Sequence, residues 1–217
     1  ELRKCEFLKR YVHISTPEVY GSCSGFVDES FHFNPSTPYA VSRAAGDMSL
    51  QTFHAAYDFP MVITRAANVY GPGQQLYRII SRTILYILLG EKLQLHGGGV
   101  SRRSFIYMDD VSDATLKIML NGKNGDTYHI STDEVVSIRQ IVETLCTKMG
   151  VHFEDHAEIV GERLGKDAAY QLDSTKLRTE LNWQDNVSLD TGLDQCIDWV
   201  MRNFYTLKNE PFNYIHK

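Results

Sequence analysis

Tyr39 and Arg43 stand four residues apart, about one helical turn, so they share a helical face. A phenol beside a fixed cation has a stabilised phenolate and can act as a base nearer neutral pH. Thr37 is a good N-cap and Pro38 suits the first turn, so the pair lies just inside a helix expected from Pro38 to about Tyr57. Thr16 follows the apolar run Tyr11-Val12-His13-Ile14, which reads as a buried strand. Open α/β sheets hold their ligands at the carboxyl ends of their strands. A hydroxyl placed there can hydrogen-bond the same substrate oxygen as the phenol. The chemistry is removal of a proton from an alcohol.

The elements that must position these groups are legible further along. Met61-Val62-Ile63-Thr64 is a second buried, parallel-type strand, and Gly71-Pro72 enforces a turn after it. A helix is expected over Ile79–Leu89 with Gly90 as its stop. His96-Gly97-Gly98-Gly99 reads as a turn between two short strands, Leu93–His96 and Ser104–Tyr107. Asp109 and Asp110 are candidate caps of a helix running to Leu120, and Thr127–Ile130 is another strand. Ser137 and Ser174 are expected to cap two more helices, and a last helix runs from about Leu189 to Asn203. Strands alternating with helices give a right-handed, mostly parallel α/β layer. Residues 1–72 and 103–133 read as a partial dinucleotide-binding lobe; 73–102 and 134–217 read as a smaller substrate-binding lobe. Residues 21–36 read as a loop over the site.

Composition narrows the function classes. The 217 residues are 43% hydrophobic and 23% charged, enough for a sizeable core. A formal charge of −5 gives no reason to expect nucleic acid or an acidic membrane as partner, and no apolar run approaches a membrane span. Cys5, Cys23, Cys146 and Cys196 have neither metal-ligand spacing nor disulfide-scaffold density, so they read as reduced thiols of a cytoplasmic protein with no metal site. No G-x-G-x-x-G occurs in the chain. His13 and His129, within apolar strands, read as core histidines.

Five segments occur in the order of one known family: Ser15-Thr16-x-Glu18-Val19-Tyr20-Gly21, Tyr39-x-x-x-Arg43, Arg65-Ala66-Ala67-Asn68-Val69-Tyr70-Gly71-Pro72, Arg103-Ser104-Phe105-Ile106-Tyr107-x-Asp109-Asp110-Val111, and Arg163-x-Gly165-x-Asp167-x-x-Tyr170-x-x-Asp173-x-x-Lys176. The chain resembles the extended short-chain dehydrogenases/reductases that act on nucleotide sugars, most closely the dTDP-glucose 4,6-dehydratase-like group. The resemblance implies an α/β fold, the C-terminal part of a Rossmann-type parallel sheet with an interleaved smaller substrate lobe. Its Gly-rich first half is expected in a longer protein of which this chain is a C-terminal piece. It implies NAD as cofactor, a nucleotide-diphosphate sugar as substrate, and a homodimer built on the helix from Pro38.

The resemblance also assigns roles. Tyr39 takes the C4 hydroxyl proton as NAD takes the hydride, Thr16 polarises the same oxygen, and Glu18 abstracts the C5 proton before water leaves. Ser15, Tyr39 and Arg43 fall at the cofactor. Asn68, Arg103, Arg163 and Tyr170 fall at the substrate, the arginines offering forked donors to phosphate oxygens. Two residues depart from the pattern. Arg43 stands where lysine is usual, and Pro17 replaces the aspartate that protonates the leaving hydroxyl. Two alternatives therefore stay open: a decarboxylase or epimerase of the same superfamily, and a catalytically silent nucleotide-sugar-binding protein.

Overall fold

The computed structural model describes residues 1–23, 25–161 and 171–212. In chain order the elements begin with β1 (Tyr11–Ile14), β2 (Phe26–Val27), α1 (Pro38–Tyr57), β3 (Met61–Ala66), β4 (Asn68–Tyr70) and α2 (Ile79–Leu89). Next come β5 (Leu93–His96), β6 (Arg102–Arg103), β7 (Phe105–Tyr107), α3 (Met108–Asn121), β8 (Thr127–Ile130) and β9 (Val136–Ser137). The chain closes with α4 (Ile138–Lys148), α5 (Phe153–His156), β10 (Ala157–Val160), β11 (Gln171–Leu172), α6 (Thr175–Leu181) and α7 (Leu189–Leu207). The described residues form two compact units, one of 1–69, 104–134 and 171–186, the other of 70–103, 135–161 and 187–212.

The first unit is built on a parallel sheet ordered β1-β3-β8. Strand β3 is central and buried over Met61–Arg65, which is why Met61-Val62-Ile63 runs on without the polar alternation of a strand with one wet face. Side chains still alternate between the two faces. Met61 and Ile63 pack with Phe59 and Leu50 of α1, whereas Val62 joins Ile106, Ala114, Ile118, Tyr128, Ile130, Leu177 and Trp183. Met61, Val62 and Ile63 are each fully buried, and each such side chain stabilises by roughly 1.5–3 kcal/mol. The fold is thus the expected Rossmann-type α/β layer.

Particular expectations differ. Strand β1 is half-buried rather than buried, with Ile14 65% exposed, because among the described residues it pairs only with β3. Residues 171–186, expected in the second lobe, pack in the first unit. There β11 pairs in parallel with β2, and Leu177 and Trp183 enter the core below β3. Asp109 and Asp110 lie within the first turn of α3 rather than at its N-cap, which is Tyr107. Asp110 instead accepts from the Asn186 backbone N–H, and its carbonyl accepts from the Trp183 indole, pinning 183–186 to the helix. Ser174 precedes α6 without a side-chain cap bond, since its hydroxyl donates to the Ser131 carbonyl; Asp173 accepts from Thr175 N–H instead.

In the second unit β5 and β10 pair in parallel, and Leu93 and Leu95 pack with Ile87, Val142, Cys146 and Ala157. Ser137 caps α4 through a reciprocal capping box with Gln140. Lys148 at the end of α4 reaches Asp190 and Asp194 of α7 at 2.7 and 2.8 Å.

Candidate active site

The end of β1 is held by backbone first. Ser15 N–H donates to the Thr64 carbonyl at 2.8 Å, extending the pairing by one residue. Thr16 is extended, and its Oγ1 accepts from Glu18 N–H at 3.3 Å, capping a 3-10 turn over Pro17–Tyr20. Proline suits the first position of that turn, where its missing N–H leaves no bond unmade. Because the Thr16 oxygen accepts from Glu18, its own proton is left to donate. Thr16 is only 7% exposed and Glu18 is partly exposed. Val19 and Tyr20 anchor the turn against Ala44 of α1 and Leu172.

Helix α1 starts where the sequence places it: Thr37 accepts from Ala40 N–H at 3.1 Å, and Pro38 follows. Tyr39, Arg43 and Asp47 recur every four residues and form one stripe. Arg43 Nη2 donates to the Ile14 carbonyl, and Asp47 accepts from the Ser15 hydroxyl at 2.7 Å. Two successive turns of the stripe are thereby fastened to the last residues of β1. Tyr39, the third member, is 54% exposed, and its hydroxyl makes no hydrogen bond among the described residues. Arg43 is therefore anchored to backbone by one arm, a reach its long planar fork permits. Its Nε is buried without a hydrogen-bond partner among the described residues.

Behind this strand end lies a buried polar chain that reading the sequence missed. Asp47 and Arg65 are both fully buried. Asp47 Oδ2 accepts from Arg65 Nη2 at 2.8 Å and Nε at 3.3 Å. His13 Nε2 stands 3.2 Å from Asp47 Oδ1, within ion-pair range but out of line for a hydrogen bond. Arg65 Nη1 donates to the Tyr20 hydroxyl, and its guanidinium lies 4.9 Å from the Tyr20 ring and 5.0 Å from that of Phe33. The Tyr20 hydroxyl meets His129 Nε2 at 2.8 Å, and His129 Nδ1 meets the Asp173 carbonyl at 3.2 Å. A carbonyl only accepts, so Nδ1 carries the proton and Nε2 accepts from Tyr20, a tautomer assigned from its partners.

Each charge state has a cause. Burial alone would raise Asp47, but the facing His13 ring, the donors Arg65 and Ser15, and the Arg65 charge hold it below the usual carboxylate value. Burial pushes Tyr20 up to about 12, with Arg65 opposing. Burial, reinforced by the Arg65 cation, pushes His129 down to about 3. The sequence did carry a signal for this chain. Arg65 sits inside an apolar strand and needs a buried counter-ion, and Asp47 stands one turn past Arg43.

The expected substrate residues are placed less tightly. Asn68 lies just beyond the carboxyl end of β3, on the same sheet edge as Ser15, because β1 and β3 are parallel. Its side-chain Nδ2 and its backbone N–H both donate to the Ser104 carbonyl, at 3.2 and 3.1 Å. Arg103 belongs to the second unit, where Nη1 donates to the Arg102 carbonyl at 2.7 Å. Arg163 and Tyr170 lie outside the described residues. The structure thus brings together Ser15, Thr16, Glu18 and Arg43 around one strand end, with Tyr39 on the stripe that fastens it.

A family model described as GDP-mannose 4,6 dehydratase matches residues 2–196. The mouse protein named dTDP-D-glucose 4,6-dehydratase is 34% identical over 216 residues, covering 94% of this chain and 61% of that relative. The chain therefore spans about three-fifths of the curated relative's length. Among solved structures, DesIV, a dTDP-glucose 4,6-dehydratase from Streptomyces venezuelae with NAD and TYD bound, superposes with a TM-score of 0.86 at 33% identity, covering 89% of this chain and 60% of that one. A UDP-glucuronic acid 4-epimerase from Bacillus cereus, in complex with UDP-glucuronic acid and NAD, gives a TM-score of 0.86 at 30% identity over 92% of this chain and 63% of that one.

Proposed function

The chain belongs to the GDP-mannose 4,6-dehydratase family, and from that premise we propose that the complete protein is an NAD-dependent nucleotide-sugar 4,6-dehydratase-like lyase. One observation carries the reading: Arg43 and Asp47 bind the Tyr39 face of α1 to the strand end that bears Thr16 and Glu18. One turn from Arg43 advances about 6 Å along that face, and in this reading Tyr39 faces the Thr16–Glu18 turn.

In this reading Thr16 donates its free proton to the sugar C4 oxygen, and Tyr39 accepts the hydroxyl proton from the same atom. Glu18, on the turn that Thr16 caps, takes the C5 proton once a ketone at C4 has made it acidic. Asn68, Arg103, Arg163 and Tyr170 are the proposed contacts of the nucleotide diphosphate. Residues of the first unit fit one end of a dinucleotide: the orphaned Arg43 Nε and the unbonded Tyr39 hydroxyl are suited to ribose oxygens. No G-x-G-x-x-G turn for the pyrophosphate occurs in this chain. Bound NAD supplies the acceptor for the C4 hydride and its return.

Pro17 supports a second reading. It opens the turn beside Glu18 and has no proton to give a leaving hydroxyl. Decarboxylation through a C4 ketone needs no such acid, so a decarboxylase is the rival, with an epimerase beside it. A homodimer rests on α1, whose Val41, Met48 and Phe53 are 52%, 57% and 43% exposed. Four cysteines with no disulfide fit a reducing cytoplasm.

The test mixes complete protein with dTDP-, UDP- and GDP-hexoses and follows reduced-nicotinamide absorbance, with products identified by mass. A transient that rises and decays, giving a product lighter by one water, is expected. Tyr39→Phe should slow its rise by about 10²–10⁴-fold. Sugar-nucleotide binding with no transient in the wild type would establish the silent binding protein instead.

A further inference from the structure

We propose that Asp47 is the positioning residue of the catalytic strand end, setting through Ser15 where the Thr16 hydroxyl and the Glu18 turn stand. The proposal deepens the function proposed above and rests on it for its kinetic consequences. Its geometric content is independent.

The backbone bond from Ser15 N–H to Thr64 fixes the height of the strand end, but it leaves the chain free to pivot about that point. The Ser15 hydroxyl removes the pivot by donating to Asp47 Oδ2 at 2.7 Å. Side chains alternate along an extended chain, so fixing Ser15 inward sends Thr16 to the opposite side. Thr16 Oγ1 then accepts from Glu18 N–H, and the orientation passes to the turn. Asp47 is a firm anchor because it is itself held. Arg65 grips Oδ2 with two nitrogens, and His13 faces Oδ1. Asp47 touches neither substrate nor cofactor in this scheme; it acts through Ser15.

A bland alternative is that Asp47 serves only to neutralise Arg65 inside the core. Ser15→Ala separates the two, because it removes the link and leaves the Asp47–Arg65 pair whole. Ser15→Thr restores the hydroxyl on a strand-compatible side chain. In the complete protein, positioning predicts that Ser15→Ala speeds amide exchange at Thr16, Glu18 and Val19 at least 10-fold, with Met61–Ala66 unchanged. Saturated turnover should fall by about 10–100-fold with KM for the sugar nucleotide within twofold, the effect expected for a small misplacement. Ser15→Thr should recover both, and Asp47→Asn should reproduce the local exchange change.

Unchanged exchange at the turn in Ser15→Ala overturns the proposal. So does a Ser15→Thr variant that leaves the turn as loose as Ser15→Ala does, since the restored hydroxyl would then not be what holds it. If the local exchange responds but the wild type shows no nicotinamide transient with any sugar nucleotide, the functional reading falls and the positioning role stands.

Discussion

Acid should destabilise this fold through His129, and the size of the effect follows from its surroundings. The ring is fully buried between the Tyr20 hydroxyl and the Asp173 carbonyl, near the fixed charge of Arg65. Protonation would put a hydrogen on Nε2, which now accepts from Tyr20, turning that acceptor into a donor, and would set a cation near a guanidinium. Burial first, and Arg65 second, push its pKa from 6.5 down to about 3. The folded-state value is depressed, so below 6.5 the unfolded chain takes up a proton that the folded chain refuses. The stabilising contribution is complete above 6.5 and is lost as pH falls from there towards 3. At pH 5 the linkage amounts to about 2 kcal/mol, from a 1.5-unit gap at about 1.4 kcal/mol per unit.

Other groups titrate nearby, so the comparison must be differential. Glu29 accepts from His129 N–H and is raised by burial, which opposes acid loss; Asp47 and Asp173 are held low and add to it. Urea unfolding of the wild type and of His129→Gln at pH 7 and pH 5 cancels these terms to first order. The variant should cost about 1–3 kcal/mol at pH 7, since Tyr20 and Asp173 lose their partner. It should also lose about 2 kcal/mol less than the wild type on moving to pH 5. Parallel losses in the two proteins, or an NMR titration of His129 centred near its ordinary value, would refute the reasoning.

Three further outcomes are expected. Arg65→Met should destabilise by about 3–5 kcal/mol, because it leaves Asp47 charged and buried; a loss under about 1 kcal/mol by urea unfolding would contradict the buried pair. In the second unit a Cβ at Gly192 of α7 would overlap the Tyr70 phenol, so Gly192→Ala should cost about 1–3 kcal/mol despite alanine's better helix propensity, and a stabilised melt would contradict that packing. Arg43→Lys removes the fork that holds the Ile14 carbonyl while keeping the charge, so NAD titration of the complete protein should find a changed dissociation constant with Tyr39 chemistry retained. Loss of the nicotinamide transient in that variant would mean that the backbone anchor, not only the cation, is required.

What could be read in advance was whatever neighbours in sequence decide. Thr37-Pro38 set the start of α1, and Ser137 with Gln140 set the start of α4. The end of α2 is set by Gly90, whose positive φ of 70° a glycine adopts without strain. The strand-end position of Thr16 and the shared face of Tyr39 and Arg43 were legible for the same reason. What failed was long-range. Asp110 had the composition of a cap, yet its carboxylate was drawn to Asn186, seventy-six residues on. Strand β11 pairs with β2 across a gap that no local pattern spans.

Arg65 marks the boundary between these cases. A charge within a wholly buried strand cannot be satisfied locally, so its presence alone demands a distant partner, although not which one. The i, i+4, i+8 stripe of α1 supplies the missing constraint. The stripe that carries the phenol and the cation brings its next side chain one turn further along, and that side chain is Asp47, fully buried against Arg65. The stripe therefore joins two roles in one geometry: its outer end carries the phenol proposed for the chemistry, and its inner end locks the strand end to the core.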